Sequence, residues 1–238
     1  MVKHENFKKC SQSGFCQRNR ALADDVSSKD STWNPPYRLQ SDSVGLTDGK
    51  LVGTIIKTID ANEEVRLPLV VSFLESGVAR ITVDEERRIK GDIELRHDSI
   101  VRKQRYNEAE KWAIAGGLTP SSSAELVQDS DGITRVIYGP NKNFQAVIRH
   151  SPFQVDFLRD GESHVQFNGK GYLNVEHWRP QTDANTDEKT WWDESFGGNT
   201  DSKPRGPESV GLDISFLGYE HVFGIPEHAD SMSLKETR

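Results

Sequence analysis

The sequence contains little cysteine, no long apolar run and no excess of positive charge. Only 34% of its 238 residues are hydrophobic, and its net charge is −7 at pH 7. A membrane-spanning helix needs roughly 18 apolar residues in succession, but the most apolar stretch, residues 67–74, has the length of a strand. Nucleic acids and anionic membranes attract basic patches. The composition therefore argues against a membrane span and against a nucleic-acid or anionic-membrane partner.

The beginning of the chain lacks the features of a secretory signal. Residues 1–6 are mostly polar and mixed in charge, without an apolar core. The sequence also lacks the Asn-x-Ser/Thr pattern of N-glycosylation. Two interpretations stay open: a cytosolic protein, or a mature secretory chain to which a starting methionine was added for expression.

The two cysteines bear on this choice. Cys10 and Cys16 enclose Ser-Gln-Ser-Gly-Phe, a spacer that favours a turn. A bridge between them would close a small loop and stabilise the fold by about 2 kcal/mol, and disulfides indicate an oxidising compartment. The alternative is two free thiols on a flexible terminus. A zinc site is disfavoured because the pair lacks the accompanying ligands of a zinc motif.

Short alternation of apolar and polar residues recurs along most of the chain and predicts strands. Turns such as Asp48-Gly49 separate them at a spacing of about eight to twelve residues. Pro68 suggests that its strand lies at an edge or contains a bulge. This pattern is typical of an antiparallel β-sandwich. The predicted strands are residues 37–44, 51–59, 65–74, 78–83, 133–138, 144–150, 153–159, 163–168, 172–177, 209–216 and 221–223.

Four stretches depart from the strand pattern. Residues 1–32 are polar and mixed in charge, and within them residues 24–30 predict a loop. Residues 107–115 have the best helix-forming composition. Residues 119–123, Thr-Pro-Ser-Ser-Ser, predict a linker. Residues 180–207 are rich in Asp, Thr, Gly and Asn and carry a Trp-Trp pair. We expect this last stretch to be a long insertion that packs back through its tryptophans.

Three segments carry a resemblance to a known family. Residues 6–18 read Asn-Phe-Lys-Lys-Cys and then Ser-Gly-Phe-Cys-Gln-Arg, and residues 152–158 read Pro-Phe-Gln-Val-Asp-Phe-Leu. Residues 192–230 contain Trp-Asp-Glu-Ser-Phe, Asp-Ser-Lys-Pro and a long run that starts with Gly-Pro-Glu-Ser-Val-Gly-Leu-Asp. In sequence and order these segments resemble the α-subunit family of glucosidase II, within family 31 of the glycoside hydrolases. Residues 20–150 match only in pattern and have the character of a fungal member.

The resemblance implies a fold and a domain organisation. Residues 33–238 would form an all-β, antiparallel sandwich of the galactose-mutarotase-like type, with a long insertion near residues 180–207. This domain would pack on a (β/α)8 barrel that is absent from the chain. Residues 1–32 would be an N-terminal extension that contains the short disulfide loop.

The resemblance also implies a function and partners. Such enzymes trim α-1,3-linked glucose from N-glycans of newly made glycoproteins in the lumen of the endoplasmic reticulum. Retaining hydrolysis needs two carboxylates about 5–5.5 Å apart, and the resemblance puts both beyond Arg238. We therefore expect no catalytic residue, no cofactor and no metal in this chain. The expected partners are the remaining catalytic part of the α-subunit as a second chain, the β-subunit and a glucosylated high-mannose N-glycan.

Glu227 and His228 are the candidate substrate-binding residues. Residues 223–227, Phe-Gly-Ile-Pro-Glu, resemble a turn that lies close to the sugar site in related hydrolases. Gly224 permits a tight backbone path, and Pro226 stiffens it. The alternative is that Glu227 fixes the junction between sandwich and barrel through hydrogen bonds and that His228 is structural.

Two further groups have both a functional and a structural interpretation. Trp191 and Trp192 present flat faces suited to sugar stacking, but anchoring of the insertion by burial is the favoured interpretation. A metal site would need His221 together with Glu227 and His228, and nothing else in the sequence supports one.

Two hypotheses of different classes follow. In the first, the chain is the N-terminal fragment of an α-glucosidase, and its end at Arg238 is what a trypsin-like cut in an exposed loop would leave. In the second, the sandwich is a carbohydrate-binding module by itself, which the scattered aromatic residues do not favour. A mutarotase-like epimerase would need a His-Glu acid-base pair that the sequence does not identify.

Overall fold

Antiparallel strands make up most of the described chain. The computed structural model describes residues 6–29, 32–85, 118–130, 132–179, 181–182, 191–224 and 233. Helix α1 spans Gly14–Lys29, and strands follow it along the chain. The strands are β1 (Tyr37–Leu39), β2 (Gly45–Thr47), β3 (Lys50–Thr58), β4 (Glu64–Phe73), β5 (Ala79–Val83), β6 (Glu125–Ser130), β7 (Ile133–Tyr138), β8 (Phe144–Arg149), β9 (Gln154–Arg159), β10 (Glu162–Phe167), β11 (Asn174–Val175), β12 (Asp193–Phe196), β13 (Asn199–Ser202), β14 (Val210–Gly211) and β15 (Ile214–Phe216).

Two sheets form the sandwich. The first has the order β1-β3-β4-β5, with β2 also paired to β3, and the second has the order β15-β10-β9-β8-β7-β6. Their strand pairs are antiparallel, and the two small pairs β11-β14 and β12-β13 lie outside these sheets. The expected all-β, antiparallel sandwich is confirmed.

The core lies between the two sheets. Leu51 and Phe73 of the first sheet and Val136 and Ile148 of the second are fully buried in one cluster. Burial alternates along β7 because successive side chains point to opposite faces of a sheet. Each such side chain stabilises the fold by about 1.5–3 kcal/mol through the removal of apolar surface from water.

Pro68 lies on an inner strand, so the prediction of an edge strand or a bulge is wrong. It pairs with Thr54 in the regular register of β4 with β3, and β5 flanks β4 on the other side. The backbone N–H of Asp84 donates to the carbonyl oxygen of Pro68 at 3.0 Å. Pro68 therefore faces the point at which β5 has ended, and its missing N–H removes no bond of the β4-β5 ladder.

The prediction of a loop at residues 24–30 is also wrong as far as residue 29, because residues 14–29 form α1. Phe15, Leu22 and Ala23 lie on one face of this helix, at the spacing i, i+7 and i+8. With Tyr172 and Leu212 they line a cavity of about 250 Å³ between the helix and the chain around β14. The helix is thus packed against the rest of the molecule.

The predicted linker at residues 119–123 is a fixed connection. Pro120 forms a β-bridge with Leu74, and the N–H of Ser121 donates to the carbonyl oxygen of Phe73 at 2.8 Å. The hydroxyl of the buried Ser121 accepts the N–H of Gly139 at 3.1 Å. Local composition missed these bonds because their partners are distant in sequence.

Two other local predictions need revision. The predicted strand at residues 37–44 ends at Leu39, and Ser41–Ser43 form a 3-10 helix instead. The predicted helix at residues 107–115 lies outside the described residues. Among the residues described, no helix has both the length and the apolar character needed to cross a membrane.

The described part of the insertion at residues 180–207 packs back as expected. Trp192 is buried, and the guanidinium of Arg179 lies 5.3 Å from its ring centre. A Cβ atom at Gly14 would lie 2.7 Å from the ring of Trp191, so the insertion contacts α1 directly. Strands β12 and β13, which the sequence did not predict, form a hairpin in this segment.

Candidate functional site

The structure does not place the predicted substrate-binding pair. Glu227 and His228 lie outside the described residues, and they stay predictions. His221 is exposed, with its ring centre 6.4 Å from that of Phe223. The predicted strand at residues 221–223 is not formed, although Phe223 makes an isolated β-bridge with Ser233. The described residues contain no group of three or more His, Cys, Asp or Glu side chains placed to hold a metal ion.

The two cysteines lie close together at the start of α1. Both are free thiols in the structure. Cys10 begins a short 3-10 helix, and Cys16 lies in the first turn of α1. A hydrogen bond to Cys10 is the main cause that raises the pKa of the Cys16 thiol above its ordinary value. The thiols are therefore neighbours, and the bridge between them stays a prediction.

A network around Asn168 and Asp213 holds the chain between β14 and β15 on the sandwich. The carboxylate of Asp213 accepts the N–H of Lys170 at 2.7 Å and the N–H of Tyr172 at 2.9 Å. The side-chain amide of Asn168 donates to the carbonyl oxygen of Phe153 at 2.6 Å and accepts the N–H of Leu173 at 2.8 Å. The predicted strand at residues 209–216 is divided in two: β14 pairs with β11, β15 pairs with β10, and Asp213 lies between them.

An apolar groove of about 490 Å³ opens beside this segment. Aromatic side chains form much of its wall, and its rim carries His164, whose Nδ1 lies 2.9 Å from the hydroxyl oxygen of Tyr219. The groove suits apolar side chains better than a sugar, which needs several polar groups for its hydroxyls. Its lining residues are Gly77, Ala79, Ile81, Tyr138, Phe144, Phe157, Leu158, Arg159, His164, Val165, Phe167, Ile214 and Tyr219.

A second cluster attaches α1 to the sandwich through buried charge. Arg18 donates to the carboxylate of Glu176 through Nε and, at 3.1 Å, through Nη2. Ser209 donates its hydroxyl and, at 2.9 Å, its backbone N–H to the same carboxylate. Burial of Glu176 opposes ionisation, but these hydrogen bonds outweigh burial and lower its pKa below the ordinary value. The cluster joins segments that lie 158 residues apart in sequence.

Lys57 lies near this cluster and is largely buried. Its Nζ donates to the carbonyl oxygen of Val175 at 2.9 Å. Burial lowers the pKa of Lys57 to about 8, although the charge of Glu176 opposes this effect. Sequence reasoning missed Lys57 and Glu176 because each lies in a predicted strand without any local motif. The only available signal was a charged residue among apolar neighbours.

Comparison with known proteins assigns the sandwich to a family. Residues 68–238 match the model of the glycosyl hydrolase 31 N-terminal galactose mutarotase-like domain. The chain belongs to this family. The galactose-mutarotase-like type of sandwich expected from the sequence is thereby confirmed.

The relatives of this family 31 domain are longer proteins. The chain is 35% identical over 240 residues to glucosidase 2 subunit alpha of Schizosaccharomyces pombe, covering 97% of this chain and 25% of that protein. It is similar to a glucosidase II alpha subunit solved with alpha3-Glc2, with 58% identity, a TM-score of 0.87 and coverage of 99% of this chain and 25% of that one.

A second structure adds a partner chain. It is an ER glucosidase II heterodimeric complex of the catalytic subunit with the binding domain of the regulatory subunit, 59% identical, with a TM-score of 0.86 and coverage of 98% of this chain and 25% of the matched chain. The present chain thus spans about a quarter of the length of the relatives it matches.

Proposed function

We propose that this chain is the N-terminal β-sandwich portion of a glucosidase II α-subunit, a retaining α-glucosidase of the endoplasmic reticulum. The observation that carries the proposal is 58% identity and a TM-score of 0.87 over 99% of the chain to an α-subunit solved with alpha3-Glc2. The substrate would be α-1,3-linked glucose on a glucosylated high-mannose N-glycan. The regulatory subunit, named in the related heterodimeric complex, would be a partner.

In this proposal the chain supports catalysis without performing it. The two carboxylates of retaining hydrolysis would come from the part of the α-subunit that the relatives have in addition. The sandwich would support the catalytic barrel, and Glu227 with His228 would lie at the rim of the sugar site. The thiols of Cys10 and Cys16 are neighbours, as a bridge formed in an oxidising compartment would require.

The alternative, an independent carbohydrate-binding module, has less support. Trp192 is buried beneath Arg179, and Trp191 packs against α1, so the pair anchors the insertion. The groove is lined mainly by apolar side chains. Neither feature offers the combination of an open aromatic face and several polar groups that a sugar requires.

A hybrid enzyme tests the proposal. This chain would replace the matching N-terminal quarter of the α-subunit solved with alpha3-Glc2, and hydrolysis of an α-1,3-linked glucose disaccharide would be measured. We expect the hybrid to hydrolyse the disaccharide and the isolated 238-residue chain to show no hydrolysis and no binding of glucose oligosaccharides by calorimetry. A folded but inert hybrid, or hydrolysis by the isolated chain, would contradict the proposal.

A further inference from the structure

The two sheets differ in width, which leaves part of one inner face uncovered. β5 is the last strand of the first sheet on its side, whereas the second sheet continues through β9 and β10 to β15. Ala79 and Ile81 of β5 line the apolar groove together with Phe157, Phe167 and Ile214 of the wider sheet. In the ranges that the structure describes, the first sheet has no strand beyond β5 to cover this side.

Exposed apolar residues concentrate in the segment that carries β14 and β15. Of the fourteen large hydrophobic residues that are exposed in the described chain, seven lie within residues 210–223. Ile214 is 49% exposed and Phe216 is 44% exposed. Single exposed apolar residues are ordinary, but a concentration of them marks a surface that another chain covers. The seven are Val210, Leu212, Ile214, Phe216, Leu217, Tyr219 and Phe223.

The backbone of β15 also has one free edge. The backbone carbonyl oxygen of Asp213 accepts the N–H of Asn168, and the backbone N–H of Leu217 donates to the carbonyl oxygen of His164. The backbone groups of the odd-numbered residues of this segment therefore face β10. The backbone groups of Ile214 and Phe216 therefore point away from β10. β15 ends the order of its sheet among the described strands. An apolar edge strand of this kind is a template for pairing with another strand.

We propose that the groove and the outer edge of β15 form a docking surface for an apolar strand from the remainder of the glucosidase II α-subunit. That strand would pair with the backbone of Ile214 and Phe216 and place large apolar side chains in the groove. This inference rests on the proposed function. The occupant follows from two facts: the matched relatives contain about three times as much chain again, and the surface is apolar. The carboxylate of Asp213, which lies within this segment, accepts the backbone N–H groups of Lys170 and Tyr172.

Binding of the two parts as separate polypeptides tests the surface. The 238-residue chain would be mixed with the remaining three-quarters of the α-subunit solved with alpha3-Glc2, and their dissociation constant would be measured. We expect Ile214→Asn and Phe216→Asn each to weaken binding by about tenfold or more. Val52→Asn, which changes an exposed valine of β3 that does not line the groove, should change it by less than about twofold. Thermal unfolding confirms that each variant is folded.

Hydrogen exchange provides a second measurement that needs no substitution. The amides of Ile214 and Phe216 should become protected when the two parts assemble, because they gain strand partners. Unchanged hydrogen exchange at both amides would contradict the proposed docking surface. Equal dissociation constants for wild type, Ile214→Asn and Phe216→Asn would contradict it too. Failure of the wild-type parts to bind each other would also contradict the docking surface. A homodimer of this chain that Phe216→Asn dissociates would contradict it as well. If the two parts assemble through this surface but the hybrid enzyme is inactive, the proposed function is rejected and the docking surface is not.

Discussion

Among single residues, Glu194 couples its ionisation to the attachment of the N-terminal segment. Burial opposes ionisation, but the N–H of Gly14 and the ammonium of Lys203 donate to its carboxylate at 2.8 and 2.9 Å. These bonds lower the pKa of Glu194 to about 2, whereas an unfolded glutamate titrates near pH 4.3. Because the folded pKa is depressed, the stabilisation is complete above about pH 4.3 and is lost as the pH falls toward 2.

Acid unfolding with a matched control checks this coupling. We expect the urea midpoint to fall between about pH 4.3 and pH 2, and to fall less steeply in Glu194→Gln. Glu63→Gln is the control, since it changes an exposed glutamate in the turn between β3 and β4. It should follow the wild-type slope closely. Identical slopes for Glu194→Gln and wild type would refute the role of the Glu194 carboxylate.

Lys57 gives a second pH dependence, in the alkaline range. Its folded pKa is about 8 because of burial, and an unfolded lysine titrates near pH 10.4. Between these values the unfolded chain binds more protons, so stability should rise with pH from about 8 to 10. Lys57→Met should remove much of this rise in urea unfolding. Lys50→Met, on an exposed position of the same strand, should retain it; equal rises in both variants would show that another group titrates.

For secondary-structure elements, local pattern was enough where burial alternates along the chain. β7 was predicted with its bounds, since every second side chain faces the core. Helix α1 was missed because Arg18, Asn19 and Arg20 dilute its apolar face. The spacing of Phe15 and Leu22 on one helix face could have predicted α1, but the polar and charged composition of residues 1–32 outweighed it. The groove and the Arg18–Glu176 pair could not be predicted from the sequence. Both depend on how segments that are far apart in the sequence pack together.

Gly14 tests how α1 contacts the insertion. A Cβ atom at this position would lie 2.7 Å from the ring of Trp191 and from Nη1 of Arg18. We expect Gly14→Ala to destabilise the packing of α1 by about 1–3 kcal/mol, seen as faster hydrogen exchange in α1. Gly45→Ala is the control, because a Cβ atom there would meet only Cγ2 of Val52, at 3.9 Å. Stabilisation by Gly14→Ala would mean that helix propensity outweighs the contact.

The pair Cys10 and Cys16 gives a further prediction for this helix. Under oxidising conditions the intact mass should fall by that of two hydrogen atoms, and the bridged chain should be more stable by about 2 kcal/mol. Reduction should reverse both changes. A bridge would restrain the 3-10 helix at Cys10–Gln12 against the first turn of α1. Cys16→Ser should show neither effect, and an unchanged mass in the oxidised wild type would contradict the predicted bridge.

At the scale of the whole molecule, the described part of the sandwich is closed on one side and open on the other. On the closed side, α1 and the insertion pack together through Gly14 and Trp191 and are tied by the carboxylates of Glu176 and Glu194. On the open side lies the groove beside β15. Hydrophobic stabilisation scales with the area removed from water. The two sides should therefore respond very differently to truncation of an apolar side chain.

A pair of alanine substitutions measures this asymmetry. Phe153 is fully buried, with its ring 6.2 Å from that of Phe167, so Phe153→Ala should cost about 3–5 kcal/mol and lower Tm by about 10 °C. Ile214 lines the groove and is 49% exposed, so Ile214→Ala should cost less than about 1 kcal/mol. It should also reduce the fluorescence of an apolar dye bound to the isolated chain. A cost at Ile214 as large as that at Phe153 would show that the groove is already filled within this chain, leaving no room for an added strand.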